Sequence, residues 1–542
     1  MNPRQVLPVA YAIGRTGLLR PPGPVELVRM VQTFRRWGAS LATVAAVAAL
    51  RAPHQMAVVD DEGGLSWHEL DIAANAVAGL LVQRGVRAGS NVALMCRNDR
   101  YFVVAALAVS KVGGDLVLLN TEFAPAQLGG VLQRESIAAA IFDGEFARAF
   151  DEVGFQGPRV DHLDVRRAGL CAARMPPEPP RRPGRIVFMT SGTTGTPKGA
   201  QRNTLAPPTN IVMDALTKLP LRVREPVVVA PPLFHLLGFG FFGLALLLQG
   251  TLVLRRTFDP EAVLAAVARE RAATLVVVPV MLRRILALPA TTRLRHDTSS
   301  LRVILCSGST LGAELALASA DAFGDILYNF YGSTEVGWVA MAQPSDLRAA
   351  PGTVGRPPMG TRIAILDGRG RRLPTGKSGR IFVGSAMAFD GYTGGGGKEV
   401  VDGLMSTGDI GHLDGEGRLF VHGRADDMIV SGGENVFPEE VENLLRSHAA
   451  VADAAVVGVD DEEMGQRLAA FVVPAPGSTP TTFEIKAFVR SRLARFKVPR
   501  DVTFVDRIPR NPTGKVLRRR LLELGCDPTG PRESTEAERW RV

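Results

Sequence analysis

Apolar residues recur along the chain in two alternating rhythms, one typical of helices and one of buried strands. Over residues 66–84 they fall on one helical face, at Leu70, Ala73, Ala74, Val77 and Leu81. Ser66 can cap the start of this helix, and Glu69 completes a capping box three residues later. The segment therefore predicts an amphipathic helix that packs against a core.

Short apolar runs lie between the helical stretches and predict strands buried on both faces. The runs are residues 91–95, 116–119, 186–188, 227–229, 252–254, 275–278 and 303–305. Helices alternating with such strands are typical of parallel sheets covered on both faces. From 352 to 420, short strands with many Gly and Asp turns predict an antiparallel portion instead.

Composition narrows the class of protein. The chain has 542 residues, more than one core normally organises, so we expect at least two domains. Hydrophobic residues make up 46% and charged residues 22%, which excludes a disordered chain, a fibre and a small disulfide scaffold. The net charge of +9 suits anionic small molecules or an acidic lipid surface. Aromatic residues, at 6%, are too few for a base-stacking surface, so we expect no nucleic-acid partner.

The cysteines and the N-terminal residues bear on location. The four cysteines form no CxxC pair and are interpreted as buried, reduced thiols of a cytoplasmic protein. No apolar stretch is long enough to span a bilayer. Segment 25–36 sets apolar residues among arginines, namely Val25, Leu27, Val28, Val31 and Phe34. This basic amphipathic pattern leaves two interpretations open, a helix packed on the protein or peripheral contact with the inner face of the membrane.

The segment 190–199 (TSGTTGTPKG) follows a predicted strand and is rich in groups that bind phosphate. Its glycines let backbone N–H groups approach an anion, its hydroxyls add donors, and its lysine supplies charge. The candidate ligands of a polyphosphate are Thr190, Ser191, Gly192, Thr193, Thr194, Gly195 and Lys198. A surface loop without function is the alternative for this segment taken alone.

A second glycine pattern, GFGFFG at 238–243, matches the fingerprint of a dinucleotide-binding turn. It raises the alternative of an NADP-dependent oxidoreductase. The match is poor because residues 231–237 separate it from the preceding strand and phenylalanines fill its variable positions. We expect close helix packing or an apolar substrate wall here.

Three further segments carry nucleotide-binding groups, although each is ambiguous alone. YGSTE at 331–335 offers an aromatic ring for a base and a carboxylate for a hard cation. STGD at 406–409, followed by GRADD at 423–427, offers a carboxylate and an arginine for a ribose. NPTGK at 511–515 precedes three arginines, and a solvated basic helix is its simplest interpretation.

In this order and spacing the motifs resemble the adenylate-forming superfamily of acyl-CoA synthetases, aryl-CoA ligases, luciferases and adenylation domains. The resemblance covers residues 40–524 and is greatest to actinobacterial fatty-acyl-CoA synthetases. It implies an α/β fold with a large N-terminal domain of layered, parallel-rich sheets and helices, a distorted antiparallel β portion, and a small, mobile α+β C-terminal domain. The implied boundaries are 1–50 for an N-terminal extension, 51–425 for the AMP-binding domain and 426–542 for the small domain.

The resemblance also implies an ATP-dependent fatty-acid–CoA ligase that uses Mg²⁺ and takes CoA as co-substrate. The loop 190–198 would bind the β- and γ-phosphates, and Thr190 with Glu335 would hold Mg²⁺. The other implied nucleotide contacts are Tyr331, Gly308, Ser309 and Thr310 at adenine, Gly332 and Ser333 beside them, Thr334 at the α-phosphate, and Asp409 with Arg424 at the ribose. Thr334 and Glu335 are thereby expected to take part in catalysis.

In the small domain, the resemblance makes Lys515 the cation that meets the carboxylate and the α-phosphate, where negative charge gathers in the transition state. Asp426 would be the hinge of that domain. Gly432 and Gly433 would leave a passage for the pantetheine arm of CoA.

The acyl site is implied next to His235, with Phe239 at the place of an aromatic gate. The very apolar run 238–248 favours a medium- to long-chain fatty acid. The alternatives are another acyl or aryl acid, a carrier-protein acceptor, a non-catalytic nucleotide-binding protein and, more remotely, the oxidoreductase. The sequence leaves the oligomeric state open, a homodimer included.

Two departures from the family pattern concern local loops. Thr393 and four glycines follow Tyr392, where the family has a Pro-containing helix start. Residues 403–405 replace a Gly-Trp pair before Ser406. Neither departure removes an implied catalytic group, but both leave the loop geometry open.

Overall fold

The computed structural model describes residues 14–17, 21–170, 178–190, 197–202, 209–431, 434–461, 464–512 and 514–525. The chain folds into two compact units. The first runs through Val421 and includes Pro512–Gly514, and the second comprises His422–Asn511 and the residues from Lys515 onward.

The strands of the first unit are mostly short. They are β1 Met56–Asp60, β2 Gly63–Ser66, β3 Asn91–Met95, β4 Asp115–Leu118, β5 Ala139–Phe142, β6 Arg159–Asp161, β7 Ile186–Thr190, β8 Lys198–Arg202, β9 Pro226–Val229, β10 Thr251–Val253, β11 Thr274–Val277, β12 Val303–Cys306, β13 Leu327–Ser333, β14 Gly337–Ala342, β15 Arg362–Leu366, β16 Gly379–Gly384, β17 Val400–Val401, β18 Leu404–Leu413 and β19 Leu419–Arg424.

Helices connect most of these strands. They are α1 Pro24–Trp37, α2 Leu41–Arg51, α3 Trp67–Gln83, α4 Arg100–Val112, α5 Pro125–Arg134, α6 Ala147–Glu152, α7 His162–Leu170, α8 Thr209–Lys218, α9 Leu236–Leu247, α10 Pro260–Glu270, α11 Pro279–Leu286, α12 Ala290–Arg293, α13 Ala313–Phe323 and α14 Pro344–Ala349, with a 3-10 turn at Gly144–Phe146. Among the described helices, none is long and apolar enough to cross a membrane.

Two parallel-rich sheets and one antiparallel sheet form the first unit. The eight-stranded sheet has the order β14-β13-β12-β11-β9-β10-β1-β2, and the six-stranded sheet has the order β6-β5-β3-β4-β7-β8. Within the described strands of these two sheets, antiparallel pairs occur only at sheet ends, between β1 and β2, β13 and β14, and β7 and β8. A separate antiparallel sheet has the order β15-β16-β18-β17, with β19 beside β18. The predicted α/β class and the antiparallel portion over 352–420 are confirmed.

Local sequence rules account for many element boundaries. The predicted helix over 66–84 is α3, whose capping box joins Ser66 and Glu69 reciprocally at 2.7 and 3.3 Å. The predicted strand over 91–95 is β3 itself, and the other predicted strands overlap observed ones. These agreements arise because cap residues and apolar runs act over only a few neighbouring positions.

The helices α1 and α2 join the first unit through apolar contacts. α2 buries Leu41, Ala45 and Ala48 in the same core cluster as α3, α4 and α9. At the end of α1, the buried Trp37 ring lies 4.8 Å from Nζ of Lys111. Lys111 is itself buried and donates hydrogen bonds of 2.7 Å to the side chains of Asp71 and Asn75. Much of the expected N-terminal extension is thus part of the folded unit.

The second unit is a small α+β fold. Its elements are β20 Ile429–Ser431, β21 Glu434–Val436, α15 Pro438–Arg446, β22 Val451–Asp461, β23 Gly465–Pro474, α16 Thr482–Arg490, a 3-10 turn at Arg495–Lys497, β24 Asp501–Phe504 and α17 Arg518–Gly525. The sheet order is β21-β20-β23-β22, with β24 parallel to β23. α15 and α16 pack Val441, Leu445, Ile485 and Val489 against the sheet.

Two of the four cysteines lie in the described residues. Cys96 and Cys306 are free and buried, and burial raises the pKa of both thiols. Both agree with the interpretation as reduced core thiols. Cys171 and Cys526 lie outside the described residues.

Candidate active site

The glycine-rich segment connects two paired strands. Thr190 ends β7 and Lys198 begins β8, and the two residues are directly opposed in the antiparallel ladder. Both ends of the segment are therefore held by sheet hydrogen bonds. The residues Ser191, Gly192, Thr193, Thr194 and Gly195 lie outside the described part of the chain.

A distant loop packs along β8 and completes this edge. The backbone N–H of Asp390 donates to Gln201 O at 3.0 Å, and that of Thr393 donates to Gly199 O at 2.9 Å. The hydroxyl of Thr393 donates to the buried Glu135 carboxylate at 2.7 Å. The first departure from the family pattern is therefore a loop anchored at both its backbone and its side chain.

Tyr392 in this loop links two predicted site residues. Its hydroxyl donates to Glu335 Oε1 at 2.9 Å. Nζ of Lys198 lies 5.4 Å from the centre of its ring, which is within the range of a cation–π contact. One tyrosine thus contacts both a cation, over its ring, and a carboxylate, at its hydroxyl, which were predicted from separate motifs.

Glu335 is held as a carboxylate despite being partly enclosed. Burial by itself raises the pKa of this group, but hydrogen bonding with Tyr392 and Ser333 outweighs it, so the pKa is lowered from its ordinary value. An ionised oxygen donor of this kind suits a hard cation such as Mg²⁺. Thr334, directly before it, is half-buried in the same turn.

A second pair joins two sheets. Tyr331 near the end of β13 donates its hydroxyl to Asp409 Oδ2 of β18 at 2.5 Å. Between Tyr331 and Ser333, a Cβ on Gly332 would lie 2.1 Å from Gly337 O, so only glycine fits this close pairing of β13 and β14. The aromatic ring and the carboxylate predicted for adenine and ribose are therefore neighbours.

The predicted partners on the other side of adenine follow the adjacent strand. β12 and β13 are parallel, with Cys306 opposite Asn329. Gly308, Ser309 and Thr310 come just after β12 and are exposed. They thus leave the same edge of the sheet as Tyr331, since parallel strands end together.

His235 and Phe239 flank the start of α9. His235 is the N-cap residue of that helix and is half-buried. Phe239 is buried and packs edge-on against Phe188 at 5.5 Å and Phe242 at 5.3 Å. The side chain expected as a gate is therefore part of the apolar core.

The structure contradicts a dinucleotide-binding turn at GFGFFG. The glycines of GFGFFG lie inside α9, not in a turn between a strand and a helix. A Cβ on Gly238 would come 2.4 Å from Pro232 O, so this glycine permits close packing of the helix on the preceding loop. The geometry required for a nucleotide pyrophosphate is absent from this segment.

Asn98 fixes that preceding loop and was not identified from the sequence. Its buried side-chain amide donates to Pro231 O at 2.8 Å and accepts from the Leu233 backbone at 2.8 Å. Two good hydrogen bonds from one buried amide define the path of the loop that leads into His235. A single asparagine after an apolar strand gives no sequence signal for this role, and the same is true of Tyr392.

The remaining predicted residues belong to the second unit, in part outside the described residues. Arg424 pairs with Asp426 through contacts of 3.0 and 3.2 Å. Lys515 is exposed, and its backbone N–H donates to Asn511 Oδ1 at 2.9 Å, which closes the NPTGK turn. Gly432 and Gly433 are outside the described chain.

The chain is similar to known proteins over most of its length. The model of the AMP-binding enzyme family matches residues 45–393, and that of its C-terminal domain matches residues 440–515. A feruloyl-CoA synthase of an Amycolatopsis species is 35% identical over 86% of this chain and 95% of its own length. A fatty acid–[acyl-carrier-protein] ligase of Streptomyces coeruleorubidus is 30% identical over 86% and 93%.

A solved structure gives the same result. The o-succinylbenzoate CoA synthetase of Bacillus subtilis, in complex with its acyl-adenylate, is 26% identical with a TM-score of 0.77, over 88% of this chain and 97% of that one. These relatives do not confirm the fatty-acyl subgroup, because their names include aromatic acids. The chain belongs to the AMP-binding enzyme family and is an adenylate-forming acid–thiol ligase that uses ATP, Mg²⁺ and CoA.

Proposed function

We propose that this ligase activates a medium- to long-chain fatty acid as its acyl-adenylate and transfers the acyl group to CoA. The observation that carries the choice of acid is α9, whose sequence LLGFGFFGLALL contains no polar side chain and begins directly after His235. An apolar wall favours an aliphatic tail. The fatty acid–[acyl-carrier-protein] ligase among the relatives supports the same class of acid.

The ionised Glu335 carboxylate is suited to a Mg²⁺–ATP complex. Within the described ranges no cluster of three or more metal-binding side chains occurs. Magnesium is commonly held by one or two carboxylates together with substrate phosphates and water, so Glu335 with the Thr190 hydroxyl is a sufficient protein contribution. When bound, the ion would neutralise phosphate charge. Lys198 and the 190–198 loop would bind the same phosphates, and Asp409 the ribose hydroxyls.

In the first half-reaction, an oxygen of the fatty-acid carboxylate attacks the α-phosphorus of ATP. The bond from that phosphorus to the bridging oxygen breaks, and its electron pair leaves with pyrophosphate. Lys515 would neutralise the charge that accumulates where the two anions meet. Thr334 would orient the α-phosphate by a hydrogen bond. The second unit would have to move to deliver Lys515, with Asp426 as its hinge.

In the second half-reaction, the sulfur of CoA attacks the acyl carbon and AMP leaves with the electron pair of the broken C–O bond. The thiol loses its proton to solvent or to a phosphate oxygen of AMP. The segment containing Gly432 and Gly433 would admit the pantetheine arm, because glycine leaves the narrowest wall.

An acid panel tests the proposal. Pyrophosphate exchange and thioester formation should be measured for saturated fatty acids of increasing length, for ferulate and benzoate, and for indoleacetate. We expect the largest kcat/KM for a medium or long fatty acid. A preference for the aromatic acids would contradict the proposed fatty-acid substrate and indicate aryl-CoA ligase activity. Pyrophosphate exchange without formation of a CoA thioester would indicate a carrier-protein acceptor.

Replacing Tyr392 by phenylalanine should weaken the proposed magnesium site. Without the hydroxyl, one of the hydrogen bonds that oppose the effect of burial is lost, so the pKa of Glu335 should rise above its value in the unmodified protein. The acid limb of the profile of kcat/KM against pH should move to higher pH. The Mg²⁺ concentration for half-maximal rate should rise about tenfold, since a hydrogen bond to a charged group contributes ~1.5–3 kcal/mol.

The matched control is Tyr101→Phe, which removes another tyrosine–glutamate hydrogen bond, to Glu62 at 2.8 Å. That variant should leave both the pH limb and the Mg²⁺ requirement unchanged. Equal behaviour of the two variants would contradict the assignment of Glu335.

A further inference from the structure

Helix α1 presents an apolar face that the rest of the described protein leaves uncovered. Five large apolar residues of this helix are exposed to solvent. Their exposed fractions are 67% for Val25, 51% for Leu27, 56% for Val28, 44% for Val31 and 56% for Phe34. Leu27, Val31 and Phe34 follow the i, i+4, i+7 spacing, so they form one stripe along the helix. Such a stripe is unusual on a soluble surface, where apolar residues are normally scattered.

An adjoining side of α1 is attached to the protein. Trp37 is buried, and Glu26 accepts from Nε of Arg51 in α2 at 2.8 Å. The helix is therefore fixed in orientation with its apolar stripe outward. α2 in turn packs on α9.

The charges of α1 identify the surface that this stripe fits. Arg35 is exposed and adjoins the stripe, whereas Arg29 is exposed about 180° away around the helix. Glu26 is the only acidic residue of α1, and it is already paired with Arg51. A second copy docked on the stripe would bring arginines together without a carboxylate of this helix to receive them. An anionic lipid surface satisfies both the apolar and the cationic groups.

We propose that the stripe Leu27, Val31 and Phe34, together with Arg35, docks α1 on an anionic membrane surface. At 1.5 Å per residue, this 14-residue helix is about 21 Å long, so it would lie in the plane of the interface and not span it. The apolar side chains would enter the acyl boundary while the Arg35 guanidinium remains among the headgroups. If the proposed fatty-acid activity also holds, docking would bring the layer α1–α2–α9 towards the phase in which long acids dissolve.

Sedimentation with vesicles tests the docking without any substrate. The full chain should be mixed with vesicles of equal parts phosphatidylcholine and phosphatidylglycerol, and with vesicles of phosphatidylcholine alone. We expect stronger binding to the anionic vesicles and weakening with salt. Leu27→Gln, Val31→Gln and Phe34→Gln together should lower the partition coefficient at least about tenfold.

The arginines have a separate expected effect. Arg35→Gln should reduce binding to the anionic vesicles about fivefold, since each basic residue near such a surface contributes ~1 kcal/mol, whereas Arg29→Gln on the far side of the helix should have little effect. Binding to the neutral vesicles should hardly change. Glutamine is a good helix former, so both variants should retain α1, which circular dichroism can verify.

Matched controls remove exposed apolar surface elsewhere. Leu294→Gln and Phe483→Gln change side chains that are 84% and 78% exposed and should leave vesicle binding intact. The proposal is overturned if the full chain does not bind anionic vesicles, or if the stripe variant binds as well as the control. It is also overturned if the stripe variant converts a dimer to a monomer, or if removing residues 1–13 is needed before vesicles bind.

These outcomes are independent of the proposed substrate. Vesicle binding needs neither ATP nor an acid, whereas a ligase test with a short, water-soluble acid needs no vesicle. A chain that binds vesicles but activates only aromatic acids would keep the docking surface and reject the fatty acid. The reverse result would keep the fatty acid and reject the surface.

Discussion

Replacing Lys515 by alanine is expected to lower fatty-acid-dependent pyrophosphate exchange at least about 100-fold, as for the loss of a group that stabilises transition-state charge. Lys515 is exposed on the NPTGK turn, which Asn511 closes by donating its backbone N–H to Lys515 O and accepting from the Lys515 N–H at Oδ1. None of these atoms belongs to the lysine side chain, so the substitution should leave the fold of the second unit unchanged. Exchange of labelled pyrophosphate into ATP, at saturating acid and ATP, measures the effect.

The two half-reactions separate this role from a general defect. Given synthetic acyl-AMP and CoA, the Lys515→Ala enzyme should form thioester at close to the wild-type rate, because the lysine is assigned only to adenylate formation. Arg519→Ala removes another exposed cation of the same unit and should affect neither reaction. Equal loss of both half-reactions in Lys515→Ala would contradict the assignment.

Replacing Asp409 by asparagine should raise the KM for ATP about 100-fold. The proposed carboxylate accepts two ribose hydroxyls, and charge-assisted hydrogen bonds contribute ~1.5–3 kcal/mol each, part of which the neutral amide retains. The side chain also accepts from Tyr331 at 2.5 Å, so the ring expected at adenine would lose its anchor. Initial rates over a range of ATP concentrations give the KM, and nucleotide binding can be measured separately by calorimetry.

Asp402→Asn is the matched control for this substitution. Asp402 is an exposed turn residue before β18, with a positive φ of 49° that asparagine also tolerates. It should leave the KM for ATP unchanged. Tyr331→Phe should cause a smaller increase than Asp409→Asn, since it removes the anchor but not the proposed ribose ligand. A KM for ATP unaffected by Asp409→Asn would place the ribose elsewhere.

Much of the fold is readable from the sequence because its signals are local. The capping box of α3 joins residues three apart, and the apolar runs of β3 and β12 depend only on consecutive residues. The motif order was sufficient to indicate the family, since several separate segments had to agree. The acid was not decided in this way, because relatives named for an aromatic acid and for a fatty acid are similarly identical to this chain, at 35% and 30%.

The candidate site could be predicted only in part because its contacts join distant segments. Tyr392 lies 57 positions from Glu335, and Tyr331 lies 78 positions from Asp409. No pattern in the sequence measures whether two such side chains meet, since that depends on how strands from different sheets are arranged. Asn98 was missed for the same reason, as its partners at 231 and 233 are far along the chain.

The sequence by itself determined the alternation of helices and strands and the membership of an adenylate-forming family, and it predicted a phosphate-binding segment. Only the tertiary structure decided that GFGFFG lies inside a helix, that Phe239 is buried, and that the apolar face of α1 is outward. The physical reason is that periodicity shows that a helix has an apolar face but not what that face contacts. Contact is set by packing between elements far apart in the chain. For α1, the observed packing leaves the apolar face exposed, so its proposed contact with a membrane can be tested.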